Sequence, residues 1–444
     1  MDCPVLSFPR LVLLAAVALV CACEPISLSP VAVDPADAGS GLDDGGDGSG
    51  GNPEPDGGEE LGAPDAGPDG GIPMPEDAGA DAGPSIPRPP LDDGGVDARM
   101  TEWSDCEEGW QSRTVLPMGS DRGYPRFALD ADGEAYFVEY TGDVLRVVTT
   151  KPWRVFADMG VVGKQWWLGG IRVDASGDLH LALNPRFDDL VAVVPTDFLH
   201  HTEGRWERAR LLSGWVRAFD LDASGRFHAL TLVDAVKHRI NHVHGRLGDV
   251  SVIDTGIELG ANFTNLSMRV DAQGKVHVTY EHGADAGRPG IYYATNASGT
   301  WVKEQVVAEG AYPVIAVSPA GVPHILWTKV GVLSLSTRSV EGEWSTTVLP
   351  FSGNGELRIS SSGVVHVLRN LGKQLEYRDN AQAGWAAKTV VDRETSPLGL
   401  PFFDWALEVD AQGRAHVMYS ELAEDPTGDG VRMLRRIGYS RQCQ

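Results

Sequence analysis

The sequence predicts an all-β fold for residues 100–444, and three observations carry this prediction. A pattern of the form Asp-x-x-Gly-x-x-His, flanked by alternating apolar residues, recurs seven times, with its glycines 42 to 50 residues apart. A tryptophan, or in one case a valine, opens a second short alternating run once per repeat. No stretch of this segment has the spacing of an amphipathic helix. Seven four-stranded units of this length predict a seven-bladed β-propeller of antiparallel blades.

The repeated turn is the first landmark of each unit. The seven copies are Asp130 to Gly133 with Tyr136, Asp174 to Gly177 with His180, Asp222 to Gly225 with His228, Asp271 to Gly274 with His277, Ser318 to Gly321 with His324, Ser360 to Gly363 with His366, and Asp410 to Gly413 with His416. Asp, Ser and Gly supply the side-chain bonds and the positive φ of a tight hairpin. Six of the seven units carry a histidine at the same position of the repeat. We therefore interpret it as a buried residue that forms a hydrogen bond with the neighbouring turn, rather than as the ligand of six metal sites.

The tryptophan series marks the fourth strand of each unit. It consists of Trp110, Trp153, Trp206, Val250, Trp301, Trp344 and Trp385. In the clearest unit, we predict strands over 267–270, 275–281, 291–295 and 301–307, with period-two alternation in the second of them. The signatures of WD40 and kelch repeats are both absent.

The order of the two landmarks predicts how the ring closes. Trp110 precedes the first turn, whereas the last unit, at Asp410, has no tryptophan run after it. The N-terminal strand is therefore expected to complete the last blade as its outer edge. Cys106 and Cys443 flank the hairpin that is missing there, so we predict a disulfide between them, as an oxidising envelope permits.

Residues 1–22 are predicted to be a lipoprotein signal peptide. The apolar run 11–22 is uncharged and too short for a membrane span of about 20 residues. It ends in Val20-Cys21-Ala22-Cys23, which resembles the lipobox of bacterial lipoproteins. The resemblance implies that Cys23 is lipidated and anchors the protein in the bacterial cell envelope. We expect the outer membrane, on its periplasmic or surface side, with the inner membrane as the alternative. An ordinary signal peptide with a chance cysteine is the alternative.

Residues 23–99 are predicted to be a disordered linker behind the anchor. The stretch 24–98 contains 18 acidic residues, one basic residue and no aromatic residue, and it accounts for most of the net charge of −25. Such a chain cannot bury enough apolar surface to fold. Calcium binding is a less favoured alternative, because the acids lack the spacing of a calcium loop. The acidic balance argues against nucleic acid and against polybasic membrane contact, so we expect a monomer that meets the membrane through its lipid alone.

Candidate binding residues lie in the loops that share one face of such a ring. They are Tyr124, Arg126, Trp166, Trp167, Asn262, Asn265, Asp404 and Trp405. Aromatic rings beside amides and charges suit sugar stacking or a protein contact, although packing of the three tryptophans between blades is the favoured interpretation. A second departure from the repeat is the set His238, His242 and His244, for which a solvated strand and loop is favoured over a metal site.

The hairpins are loosely similar to the Asp-box of sialidase-like repeat proteins, and the tryptophan-bearing blades resemble propeller lectins. The Asp-box proper is absent, because histidine stands where Trp or Thr is expected. A sialidase would also need an arginine triad and a Tyr and Glu pair, which the sequence does not single out. No catalytic residue and no cofactor is predicted. We expect a non-catalytic module that binds glycan or envelope protein; the alternatives are a propeller-fold glycoside hydrolase or lyase, and a structural scaffold.

Overall fold

The computed structural model describes residues 103–443, except 117–125, 142–143, 151–152, 162–165, 186–195, 212–213, 234–237, 260–264, 283–287, 382–383, 393–403 and 425–432. Within this range the chain forms seven sheets of four antiparallel strands, as the repeats predict. No helix among these residues is long and apolar enough to cross a membrane. The predicted signal peptide, Cys23 and the linker lie outside the described residues.

The 28 strands follow one another in the order of the blades. They are β1 Trp110–Leu116, β2 Phe127–Leu129, β3 Ala135–Thr141, β4 Val144–Thr150, β5 Trp153–Val161, β6 Trp166–Val173, β7 Leu179–Pro185, β8 Thr196–Thr202, β9 Arg205–Leu211, β10 Trp215–Leu221, β11 Phe227–Leu232, β12 Arg239–Arg246, β13 Asp249–Glu258, β14 Leu266–Val270, β15 Val276–His282, β16 Gly290–Thr295, β17 Val302–Val307, β18 Ala311–Val317, β19 Pro323–Lys329, β20 Val332–Arg338, β21 Trp344–Ser352, β22 Asn354–Ile359, β23 Val365–Asn370, β24 Gln374–Asp379, β25 Ala387–Asp392, β26 Trp405–Val409, β27 Ala415–Glu424 and β28 Met433–Gln442. Strands β2 to β25 form blades 1 to 6, four at a time, and β26, β27, β28 and β1 form blade 7.

The first strand of each blade lies at the centre of the ring. These inner strands contact one another in sequence, from β2 and β6 through to β26, which meets β2 again. The predicted strands of the clearest unit correspond to β14 to β17, but β17 begins at Val302 rather than at Trp301. The Trp301 ring packs back against His242 of the preceding blade, 5.5 Å away between ring centroids.

The ring closes through its own termini, as predicted. Strand β1 pairs with β28 from Trp110 opposite Gln442 onwards. Beyond this pairing, the Cys443 N–H donates to the Gly109 carbonyl at 2.9 Å. A disulfide joins Cys106 to Cys443 across the open hairpin, with a Cα separation of 6.2 Å. Blade 7 is therefore built from both ends of the propeller segment.

The hydrophobic core is divided into clusters between neighbouring blades. The described residues form seven such clusters, each drawn from two adjacent blades. The cluster that closes the ring joins Phe127 and Phe137 of blade 1 to Met418 and Tyr439 of blade 7. Small cores shared by neighbours let a segment of this length fold without one large interior.

The Asp-x-x-Gly turns are tight hairpins held by the aspartate. In blade 1, Asp130 Oδ1 accepts hydrogen bonds from the N–H groups of Asp132 and Glu134, each at 2.9 Å. Gly133 has a φ of 80°, which glycine adopts without steric strain. Ser318 and Ser360 replace Asp in blades 5 and 6, and their hydroxyls accept the N–H four residues on at 3.2 and 3.1 Å.

Candidate functional site

In blades 2, 4 and 7 the repeated histidine is buried and bonded to the aspartate of its own turn. In blade 7, His416 Nε2 lies 3.0 Å from Asp410 Oδ2, and Tyr439 contributes its hydroxyl to Nδ1 at 2.6 Å. Blade 4 has the same arrangement, with His277 between Asp271 at 3.2 Å and Tyr293 at 2.7 Å. An ionised carboxylate only accepts, so Nε2 carries the proton and Nδ1 accepts from the phenol. Both imidazole nitrogens are thereby occupied, which explains the histidine as part of the architecture.

The tyrosines that bond these histidines also contact the neighbouring blade. The tyrosine that bonds the histidine also receives the tryptophan of the following blade edge-on, as Tyr377 receives Trp110 with ring centroids 5.3 Å apart. Tyr293 and Trp344 repeat this contact, also at 5.3 Å. The two landmarks of the sequence therefore meet at the interface between blades. Sites for a ligand must be sought at positions where the blades differ.

The histidines predicted from blade 3 are only partly brought together. His242 and His244 stack side by side on β12, with ring centroids 4.7 Å apart. His238 precedes the strand and lies about 13 Å along it from His242, because an extended chain rises about 3.3 Å per residue. The third imidazole of the cluster is instead His228, the repeated histidine of blade 3, whose Nδ1 lies 3.1 Å from His242 Nε2. Burial lowers the pKa of His242 to about 3, so this ring is neutral at ordinary pH.

Five of the seven inner strands carry a charged residue two positions before the first residue of the turn, and the other two carry alanine. In chain order these residues are Ala128, Arg172, Asp220, Arg269, Ala316, Arg358 and Glu408. They share one register on strands that surround the central axis, so we call them the channel layer. Three arginines face two carboxylates in this layer.

Two of the three arginines are paired. Arg358 binds Glu408 through two parallel bonds, Nε to Oε2 at 3.0 Å and Nη2 to Oε1 at 2.9 Å. Arg358 Nη1 also reaches Glu356 Oε2 at 3.3 Å, one step along the same strand face. Arg172 donates from Nε to Asp220 Oδ1 at 2.7 Å. Such charge-assisted pairs are stronger than neutral hydrogen bonds.

The third arginine, Arg269, has no carboxylate partner among the described residues. Its one hydrogen bond there runs from Nη1 to the carbonyl of Met268, at 3.1 Å. Burial, and then the positive charges of Arg358 and Arg172, lower the pKa of Arg269 to about 10. In contrast, burial alone would raise the pKa of Glu408, but the Arg358 guanidinium outweighs it and brings that pKa down to about 2. Asp220 and Glu408 act on Arg269 in the opposite sense, but more weakly than the two arginines. The layer thus contains one cation without an ion-pair partner among the described residues.

Of the residues predicted for the binding face, Tyr124 and Asn262 lie outside the described residues. Trp166 and Trp167 begin inner strand β6, and Trp405 begins inner strand β26, where its ring packs against the core cluster between blades 6 and 7. All three tryptophans stand at the start of inner strands.

The remaining predicted face residues have identified neighbours. Asn265 donates to Glu281 Oε2 at 3.2 Å, and Asp404 accepts from the Ser420 backbone N–H at 2.9 Å through its carbonyl. Arg126 is exposed and donates to the Gly169 carbonyl at 2.5 Å. Arg126 stands four residues before its turn, so it adds a further cation to the same inner-strand face as the channel layer.

The channel layer was missed from the sequence, although a signal for it exists. Aligning the seven repeats on their turns shows an apolar residue directly before every turn, and an unlike residue one position earlier. A position whose charge varies between repeats of one fold is not fixed by the packing alone. That contrast would have identified Arg172, Arg269 and Arg358 as departures from the repeat on the inner strands.

Comparisons with known proteins identify the fold and no family. No protein-family model matches the sequence, and no curated protein matches it. A solved streptogramin B lyase aligns at 12% identity with a TM-score of 0.50, covering 77% of this chain and 100% of that one. A virginiamycin B lyase from Staphylococcus aureus aligns at 8% identity and 0.50, covering 75% and 100%. YCF48 bound to D1 peptide aligns at 12% identity and 0.48, covering 76% and 97%. At these identities the likeness shows the propeller fold alone.

Proposed function

We propose that this protein is an exported, lipid-anchored propeller that binds an anionic group of a glycan or an envelope protein without catalysing a reaction. The observation that carries the proposal is Arg269, a partly buried cation on an inner strand whose only hydrogen bond in the described structure goes to the carbonyl of the neighbouring Met268. A guanidinium with free donors is suited to bind a carboxylate or a phosphate through two bonds.

The surroundings of Arg269 favour an anionic ligand. The positive charges of Arg358 and Arg172 outweigh the negative charges of Asp220 and Glu408 at Arg269, so an entering anion relieves repulsion as well as gaining hydrogen bonds. The channel layer is partly shielded from water, which makes each charge interaction stronger than at the surface. The linker and lipid predicted for residues 23–99 would hold such a binding site at a distance from the membrane.

The proposal is tested by binding, with Arg269→Ala as the variant. Alanine already occupies this register in blades 1 and 5, as Ala128 and Ala316, so the fold accepts it. The full chain is applied to a glycan array that contains sialylated, uronic-acid and neutral glycans, and is used in pull-downs from bacterial envelope fractions. We expect acidic ligands to bind the wild type and to bind Arg269→Ala at least tenfold more weakly.

Arg239→Gln is the matched control, since Arg239 is an exposed arginine on β12 that pairs with Asp254. It removes the same charge from the outer part of a blade and should leave binding unchanged. An array and a pull-down that both come back empty would argue strongly against a binding role. Equal loss in both variants would point to net charge rather than to the channel.

The alternative is a glycoside hydrolase or lyase, and one observation favours it. Glu356 and Glu408 converge on Arg358, as a pair of carboxylates would in a hydrolytic site. Against it, the lowered pKa of Glu408 keeps this group ionised, whereas a general acid needs a raised pKa. Turnover of a fluorogenic sialoside or uronide that is lost in Glu408→Gln would establish the alternative in place of the binding role. A structural scaffold, the third possibility, would leave the array empty and still capture an envelope protein.

A further inference from the structure

Blade 2 departs from the architecture that holds the repeated histidine elsewhere. His180 is bonded to its turn in the usual way, with Nε2 3.1 Å from Asp174 Oδ2. The position that provides a phenol in blades 4, 6 and 7 holds Phe198, which can neither donate nor accept. Within the described structure, His180 has no second hydrogen bond. In blades 4 and 7 the phenol donates to Nδ1 and so fixes the imidazole proton on Nε2. Without a phenol, His180 can carry its proton on Nδ1, and Nε2 and the Asp174 carboxylate can then share a metal ion.

A second imidazole stands next to the first. His200 is the cross-strand partner of His180, and the two rings stack with centroids 4.4 Å apart. Its Nε2 is buried without a hydrogen-bond partner. In blades 1, 4 and 5 the equivalent cross-strand residue is a threonine, namely Thr149, Thr295 and Thr337. A histidine at this place is therefore not something the fold requires.

The potential ligand atoms converge beside a cavity. One atom each from Asp174, His180 and His200 lies within 4.8 Å of the others. Tetrahedral zinc sets neighbouring ligands about 3.3 Å apart. Asp174 and His180 are already 3.1 Å apart, so only the partly exposed His200 has to approach, by at most about 1.5 Å. A cavity of about 340 Å³ between blades 2 and 3 opens onto them. It leaves room for a fourth ligand from solvent.

The electrostatic surroundings favour a cation here. Two further carboxylates approach His200 without bonding it, Asp178 Oδ2 at 3.7 Å from Nε2 and Glu207 Oε2 at 3.8 Å from Nδ1. One cation, Arg246, lines the blade 3 wall of the cavity, where it donates to the Ser224 carbonyl at 2.8 Å.

The histidine cluster of blade 3 lacks these advantages. There His228 and His242 occupy each other's nitrogens, 3.1 Å apart. The positive charge of Arg226 lies close enough to His244 to lower its pKa, after burial. Both features oppose a bound cation, so blade 2 is the better of the two clusters.

We propose that Asp174, His180 and His200 form a binding site for a divalent transition metal of the zinc class, separate from the channel layer. Two imidazoles with a carboxylate suit zinc, whereas calcium and magnesium take oxygen ligands. The site uses residues of the repeat, but only where Phe198 frees one histidine and His200 supplies another.

The test measures Zn²⁺ binding to the full, untagged chain by calorimetry, after chelator treatment and dialysis. We expect one equivalent of Zn²⁺ to bind, with no comparable binding of Mg²⁺. His200→Thr installs the residue that three other blades carry at this place and should weaken binding at least tenfold. His244→Thr makes the same change at the equivalent place in blade 3 and should leave it unchanged.

Melting temperatures of the metal-free variants establish that both are folded. If His200→Thr alters that temperature, His200→Asn provides a second variant of different shape. The proposal is overturned if the wild type takes up no Zn²⁺, or if both His200 variants bind it as tightly as the wild type. Loss of binding in His244→Thr alone would place the metal in blade 3 and would equally overturn it.

Discussion

The disulfide between Cys106 and Cys443 should be the largest single covalent contribution to the stability of the ring. The two residues are separated by 337 positions. In the chain-entropy model, a loop of that length restricts the unfolded chain by about 5 to 6 kcal/mol at 25 °C. Six residue pairs between β1 and β28 remain when the bond is removed, so the folded state should keep its closure while the unfolded state gains freedom.

The perturbation is the double substitution Cys106→Ser and Cys443→Ser, compared with oxidised wild type in urea without reductant. We expect the free energy of unfolding to fall by about 5 kcal/mol, and the denaturant dependence to steepen because the unfolded chain becomes less compact. Either single substitution should reproduce the whole loss, since each removes the same crosslink. A loss below about 1 kcal/mol, or free thiols in exported and unreduced protein, would refute this account of closure.

Three further predictions concern the interfaces and the channel layer. Tyr377→Phe leaves His366 Nδ1 without its 2.6 Å partner and should lower the free energy of unfolding by about 1 to 3 kcal/mol; an unchanged urea midpoint would contradict this. Because the pKa of Glu408 falls from 4.5 to about 2 on folding, its contribution is complete above pH 4.5 and is lost as the pH drops towards 2. This amounts to about 3 kcal/mol, so Glu408→Gln should flatten the acid unfolding curve, and a curve parallel to the wild type would argue against it. Gly170→Ala places a methyl group against the Phe219 side chain and should lower the free energy of unfolding by about 1 to 3 kcal/mol through overpacking. An unchanged melting temperature would mean that the Phe219 side chain moves aside without cost.

The fold was predictable from the sequence because the residues that build it repeat. The seven turns, the tryptophan series and the closing strand each follow from local rules that apply alike in every blade, such as the side-chain bonds of Asp130 to its own hairpin. The cysteine pair was predictable for a related reason: both residues flank the one hairpin that the repeats leave open.

The candidate sites were harder to predict from the sequence, because they depend on which side chains meet across strands and blades. The three histidines chosen by closeness in the sequence include His238, which an extended strand carries away from His242. The chosen set also omitted His228, which lies far off in sequence but directly beside His242 in the sheet. Proximity along a strand predicts a shared face but not the identity of the cross-strand neighbour, which register alone decides.

The alternation of the inner strands places two kinds of residue on opposite faces of each strand. The residue directly before each turn is apolar in all seven blades, and Val173 and Val270 show why, since they pack into the clusters between blades. The residue one position earlier lies on the opposite face of the strand and is Ala, Arg, Asp or Glu. In blades 1 and 5 it is an alanine that joins the core between blades, whereas in blades 2 and 6 it is an arginine that pairs with a carboxylate of the next blade. Arg269 has no such partner among the described residues, because its one hydrogen bond goes to the Met268 carbonyl. Its blade is held by the apolar face of the same strand, and under the proposed function its charge is available for a ligand.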